Sequence, residues 1–72
     1  MGESIVVDAR GLSCPQPVIE TKKAIASKPE ALSVLVDNVA AKENVTRYAN
    51  TMGYDVTITQ EEDGYTLCLK RR

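Results

Sequence analysis

An α/β fold, more narrowly an α+β two-layer sandwich with element order βαβαββ, is predicted from three observations. Short β-branched runs alternate with two stretches of helical periodicity. The last two runs are joined by Glu61-Glu62-Asp63-Gly64, a hairpin turn. Finally, 72 residues supply one domain and no second one, so both helices must share the same small sheet.

The elements follow in order. Ser4 to Ala9 is apolar and β-branched at Ile5, Val6 and Val7, and Arg10-Gly11 bounds it, which makes a first strand. Helical spacing begins at Cys14, with Pro15 suited to a first turn where its missing N–H costs nothing, and Val18, Thr21, Lys22 and Ile25 recur along it. Pro29 ends that helix by pushing Lys28 out of helical geometry. Leu32, Val34 and Val36 alternate with Ser33, Leu35 and Asp37 in a second strand, after which Asp37-Asn38 supplies capping oxygens. Ala41, Val45, Tyr48, Ala49 and Met52 form one stripe of a second helix, opposite Lys42, Glu43, Arg47 and Asn50, and Gly53 stands where a left-handed residue ends it. Val56 and Ile58 alternate with Thr57 and Thr59, and Tyr65, Leu67 and Leu69 with Thr66, Cys68 and Lys70, which completes two antiparallel strands.

Handedness sets the topology. Two right-handed crossovers with both helices on one face advance the strands in one direction, and the hairpin partner fills the gap beside the second strand. The expected result is a four-stranded mixed sheet of order 1-2-4-3. Val56, Ile58, Tyr65, Leu67 and Leu69 should face the helices, and Thr57, Thr59, Thr66 and Cys68 the open side.

Composition narrows the chemistry. Hydrophobic residues make up 43% and charged residues 26%, a globular balance. Histidine is absent, which removes imidazole bases and the usual zinc ligand sets, and two cysteines cannot form a four-thiolate site. No metal and no cofactor is expected. Nine basic against ten acidic residues leave a net charge of −1, so direct nucleic-acid binding is not expected, and Lys70-Arg71-Arg72 reads as a solvated tail or the start of a linker. No apolar run approaches a membrane span or a signal peptide, and a cytoplasmic chain with reduced thiols is expected.

Without histidine, Cys14 is the candidate nucleophile. At a helix N-terminus, unpaired N–H groups and the helix dipole favour a thiolate. Pro15 and Pro17 fix the backbone there without needing intrahelical donors. Arg10 and Gly11 stand in the preceding loop, and Arg10 adds positive charge. Lys22 ranks behind it because surface charges are screened with distance. Asp8 is expected to bond loop N–H groups. On these residues alone, a reactive Cys14 and an inert helix-capping thiol stand level. Cys68, on a strand, reads as inert.

The run Asp8-Ala9-Arg10-Gly11-Leu12-Ser13-Cys14-Pro15-Gln16-Pro17-Val18 resembles the signature of the TusA/SirA-like sulfur-carrier family, whose core is Cys-Pro-x-Pro at the start of the first helix. Val36-Asp37-Asn38 followed by Ala40-Ala41-Lys42-Glu43-Asn44-Val45 is in register too, so the resemblance spans nearly the whole chain. It is nearest to the N-terminal domain of YedF-like proteins, often associated with selenium metabolism. The resemblance implies a persulfide on Cys14, accepted from a cysteine desulfurase or other donor protein and passed to an acceptor protein, for example toward tRNA thiolation. It also implies a two-layer βαβαββ fold. Residues 1–72 would be one such domain; in longer YedF-like proteins the module precedes a second domain, which would make the basic C-terminus a linker.

Two other readings compete. An adaptor would bind protein or RNA through the open sheet face or the helix pair, with Cys14 structural. A redox switch would need a Cys14–Cys68 disulfide, which the expected separation into different layers disfavours. Any acid or base needed to complete a transfer must come from a partner.

Overall fold

A computed structural model describes residues 5–12 and 16–72. Six elements occur in the expected order: β1 (Ile5–Asp8), α1 (Gln16–Ile25), β2 (Ala31–Val36), α2 (Val39–Thr51), β3 (Tyr54–Glu61) and β4 (Gly64–Arg71). Ser4, Cys14 and Pro15, assigned above to the first strand and to the start of the first helix, lie outside the described residues.

The sheet order is β1-β2-β4-β3, with β1 parallel to β2 and β4 antiparallel to both its neighbours. Register decides the faces. Leu32 pairs with Leu69 and Val34 with Leu67, and these four side chains are buried beneath the helices. Between them, Ser33 pairs with Cys68, and Cys68 is exposed on the opposite face, as the alternation required. The core joins the buried side of the sheet to Ile25 of α1 and to Ala41, Val45 and Ala49 of α2. Burying one such Val or Leu side chain contributes about 2 kcal/mol.

Small residues on the inner stripe of α2 let that helix lie close to the sheet. Asn38 caps it: its backbone is extended and its side-chain oxygen accepts the Ala41 N–H at 2.8 Å. At the other end Met52 N–H reaches back to the Tyr48 and Ala49 carbonyls, and Gly53 follows with φ 89°. In α1, Thr21 is fully buried and donates its hydroxyl to the Pro17 carbonyl at 2.9 Å, so a polar side chain is tolerated in the core.

One expectation needs correction, and two details go beyond what alternation indicated. The basic C-terminal run is not a solvated tail. Lys70 and Arg71 belong to β4, where Arg71 N–H donates to Glu30 O at 2.8 Å, and Arg72 N–H donates to Gly53 O at 3.0 Å. The Arg72 guanidinium pairs with Asp55 at 2.8 Å. β3 is longer than its alternating centre and starts at Tyr54, which is 2% exposed and donates its hydroxyl to Pro29 O at 2.7 Å. Ile58 pairs with Leu67 on the helix side of the sheet yet is 43% exposed, because β3 is an edge strand that the helices cover incompletely.

Candidate functional site

The loop that leads to Cys14 leaves the sheet at the C-terminal end of β1. Ala9 extends the ladder by donating to Leu35 O at 2.8 Å and is itself buried. A β-turn follows, closed by Leu12 N–H on Ala9 O, with Gly11 at φ 79° in its third position. A type II turn demands that conformation, and glycine adopts it without the steric cost a Cβ imposes. Ser13, Cys14 and Pro15 lie outside the described residues, and the chain resumes at Gln16 as the first residue of α1.

Three polar side chains frame this turn. Asp8 accepts the Arg10 backbone N–H at 3.2 Å and also the Arg10 guanidinium in a bidentate pair, with both contacts at 3.0 Å. Asp37, at the end of β2, accepts the Gly11 N–H at 2.7 Å with one oxygen and the Asn38 amide at 3.0 Å with the other. Asn38 in turn caps α2. Asp37 was expected to share in that capping; instead it ties the first βα loop to the second. No spacing rule signals a bond between residues 11 and 37, because the two become neighbours only when β1 and β2 pair.

These contacts set the local electrostatics. The Arg10 guanidinium holds the Asp8 carboxyl below its ordinary value, and the Gly11 N–H, with help from Asn38, does the same for Asp37. Arg10 is itself held more firmly protonated, first by its bonds to Asp8 and then by the carboxylates of Asp63 and Asp37. Arg10 is therefore half of an ion pair, not an isolated cation beside the loop. Pro17 is buried in the first turn of α1, which carries no acidic side chain. Lys22 is exposed in the last turn of α1, roughly 9 Å along the helix from Gln16. Arg10 and Gly11 thus share one loop, whereas Lys22 is not brought to it.

The hairpin between β3 and β4 stands at the same end of the sheet. A Cβ on Gly64 would lie 2.8 Å from the Asp37 Cα and closer still to the Val36 carbonyl, so only glycine lets the hairpin approach the end of β2. On one side a cleft of about 360 Å³ is lined by Arg10, Leu35 and Glu61 to Thr66. On the other, a cleft of about 330 Å³ runs from Asp37 and Asn38 to the same turn. Lys42 of α2 lies 4.8 Å from the Tyr65 ring centroid, a cation–π contact that joins helix and hairpin. Among the described residues no cluster of cysteine, aspartate and glutamate could hold a metal ion. No described helix is long and apolar enough to cross a membrane.

Known proteins share this architecture. A crystal structure of a SirA-like protein from Desulfitobacterium hafniense superposes with a TM-score of 0.79 at 36% identity, covering 92% of this chain and 93% of that one. A protein of Methanocaldococcus jannaschii named as a candidate sulfur carrier is 37% identical over 68 residues, 90% of this chain and 91% of its own. The similarly named YrkI of Bacillus subtilis is 34% identical over 61 residues, 82% and 80% of the two chains. The family model described as sulfurtransferase TusA matches residues 5–71, and with that span covered the chain belongs to the TusA family.

Proposed function

We propose that this protein is a sulfur carrier in which Cys14 holds the sulfur as a persulfide. The observation that carries this reading is the family match over residues 5–71, which includes the loop between the clamped Gly11 turn and α1. In the transfer, the Cys14 thiolate attacks the terminal sulfur of a donor persulfide. The donor's S–S bond breaks as the Cys14 S–S bond forms, and the donor leaves as a thiolate. One sulfur atom moves, and no external oxidant or reductant is consumed. An acceptor thiolate then repeats the exchange in the forward direction.

Within this reading the start of α1 favours negative charge on the thiol and on the persulfide, by its free N–H groups and dipole. The first turn itself carries no acidic side chain, and Glu20, the one carboxylate of α1, is paired with Lys23 at 3.5 Å. Gly11 shapes the turn that delivers the cysteine, Pro15 and Pro17 restrict the backbone around it, and Arg10 with Asp8 braces the loop rather than supplying net charge. Lys22 contributes only through the screened field of a distant surface cation. The partners are a sulfur-donor protein, of the cysteine desulfurase kind, and an acceptor protein.

The test is intact-protein mass spectrometry after incubation with a cysteine desulfurase and cysteine. Wild type and Cys68→Ser should each gain one sulfur atom, and Cys14→Ser none. Equal sulfur uptake by Cys14→Ser overturns the assignment.

A further inference from the structure

At the end of the sheet away from the Gly11 turn, a hollow of about 310 Å³ opens between the C-terminal ends of the two helices. Its floor is apolar: Ile25 and Tyr54 are buried there, Tyr48 is half-buried, and Met52 leaves 48% of its surface in water. Its rim carries Lys22, Lys28 and Arg71, and the lining contains no carboxylate among the described residues. A helix C-terminus accounts for Lys22, since cations are favoured there. It also accounts for Lys28, which closes the end of α1 with φ 53° and its N–H donated to Ile25 O at 2.7 Å, but not for Arg71, which comes from the end of β4. Arg71 is also held in place, its Nη1 donating to Lys28 O at 2.9 Å and its backbone N–H to Glu30 O at 2.8 Å. The nearby Asp55 carboxylate is engaged by Arg72 at 2.8 Å.

From this arrangement we infer a docking site for a short acidic segment of a partner protein that inserts an apolar side chain over Met52 and Tyr48. Charge complementarity selects carboxylates for the rim, and the floor selects a hydrophobic anchor. Methionine suits the floor because its flexible thioether adapts to different apolar shapes. A nucleic acid is the poorer fit: its phosphates would meet the rim, but Tyr54 is 2% exposed and Tyr48 half-buried, which leaves no series of open rings for successive bases. None of the lining residues belongs to the segment between β1 and α1, so, on the function proposed above, a carrier could be held at this end while Cys14 exchanges sulfur.

The test uses the full chain and a labelled peptide, Glu-Asp-Leu-Leu-Glu-Asp, followed by fluorescence anisotropy and by amide and methyl NMR shifts. Saturable binding that falls with added salt is expected, with shifts at Ala26, Tyr48 and Met52 and with Cys14→Ser binding as wild type does. The double variant Lys22→Glu/Lys28→Glu should weaken binding by about tenfold, the scale expected when two surface attractions become repulsions. Met52→Asp should remove it, and both variants should keep a folded amide spectrum. The inference is overturned by no saturable shift, by shifts confined to Arg10 and Gly11, or by equal binding of Lys-Lys-Leu-Leu-Lys-Lys. Tighter binding of anionic vesicles or single-stranded RNA at the same residues overturns it as well.

Discussion

At one end of the sheet, Asp8 pairs with the guanidinium of Arg10 within the field of Asp37 and Asp63, beside a hairpin turn that adds Glu61 and Glu62. At the other end, Lys22, Lys28 and Arg71 ring an apolar hollow. The first end is built from side chains that bond backbone N–H groups: Asp8 on Arg10, Asp37 on Gly11, Asn38 on Ala41. The second is built by burial, with Ile25 and Tyr54 below the surface and cationic side chains above them. The near-neutral net charge of −1 conceals this separation. Composition averages over the molecule, whereas a partner meets one end at a time.

The sharpest test of the comparison is whether the proposed sulfur chemistry depends on Cys14, in the segment that follows the acidic end. Cys14→Ser should abolish sulfur uptake, read by mass, while Cys68→Ser on the open sheet face retains it. For stability the order reverses, because the buried aromatic belongs to the basic end. Tyr54→Ala should cost roughly 3–5 kcal/mol in denaturant melts, as large aromatic truncations do. Tyr54→Phe loses only the bond to Pro29 O and should cost about 1 kcal/mol. If the two substitutions cost the same, packing is not what holds that end together.

Smaller effects should appear at the loop end. Asn38→Ala removes the α2 cap and should cost about 1 kcal/mol. Gly11→Ala meets no atom within 4 Å but must hold φ near 79°, and roughly 1–2 kcal/mol of backbone strain should follow. That strain should also change the alkylation rate of Cys14, which a purely structural turn would leave untouched.

Acid provides the gentlest probe. Asp8 and Asp37 have folded pKa values below the ordinary 3.8, so their stabilising bonds are fully present above that pH. They are lost as pH falls through the lowered folded values. The Gly11 amide proton should therefore titrate with a midpoint below 3.8, while amides around Met52 stay unmoved until global unfolding. Simultaneous titration of both ends would show that they are one cooperative unit.

Much of this was legible along the chain because it depends on neighbours in sequence. Alternation at Tyr65, Leu67 and Leu69 against Thr66 and Cys68 placed Cys68 on the open face, and the stripe from Ala41 to Ala49 placed α2 on the other. Handedness then led to the order 1-2-4-3. The Arg10-Gly11 turn was legible as a pattern of residue types, as was the family that the run from Asp8 to Val18 resembles. Tyr54 escaped because a single aromatic beside Gly53 has no period to reveal it. Ile58 kept its face but not its cover, since alternation reports orientation and says nothing of how far a helix reaches over an edge strand.

The elements, their order and the faces of the strands follow from the amino-acid order, because steric preference, hydrophobic period and crossover handedness act locally or through chain connectivity. It took the folded arrangement to bring Asp37 to Gly11, to pair Arg10 with Asp8, and to bind Arg71 and Arg72 to the fold instead of leaving them to trail from it. Each of those contacts depends on side chains and backbone groups meeting at fixed distances. Hydrogen bonds and ion pairs lose their strength within an ångström or two, so partners of this kind are settled by three-dimensional placement and not by residue type.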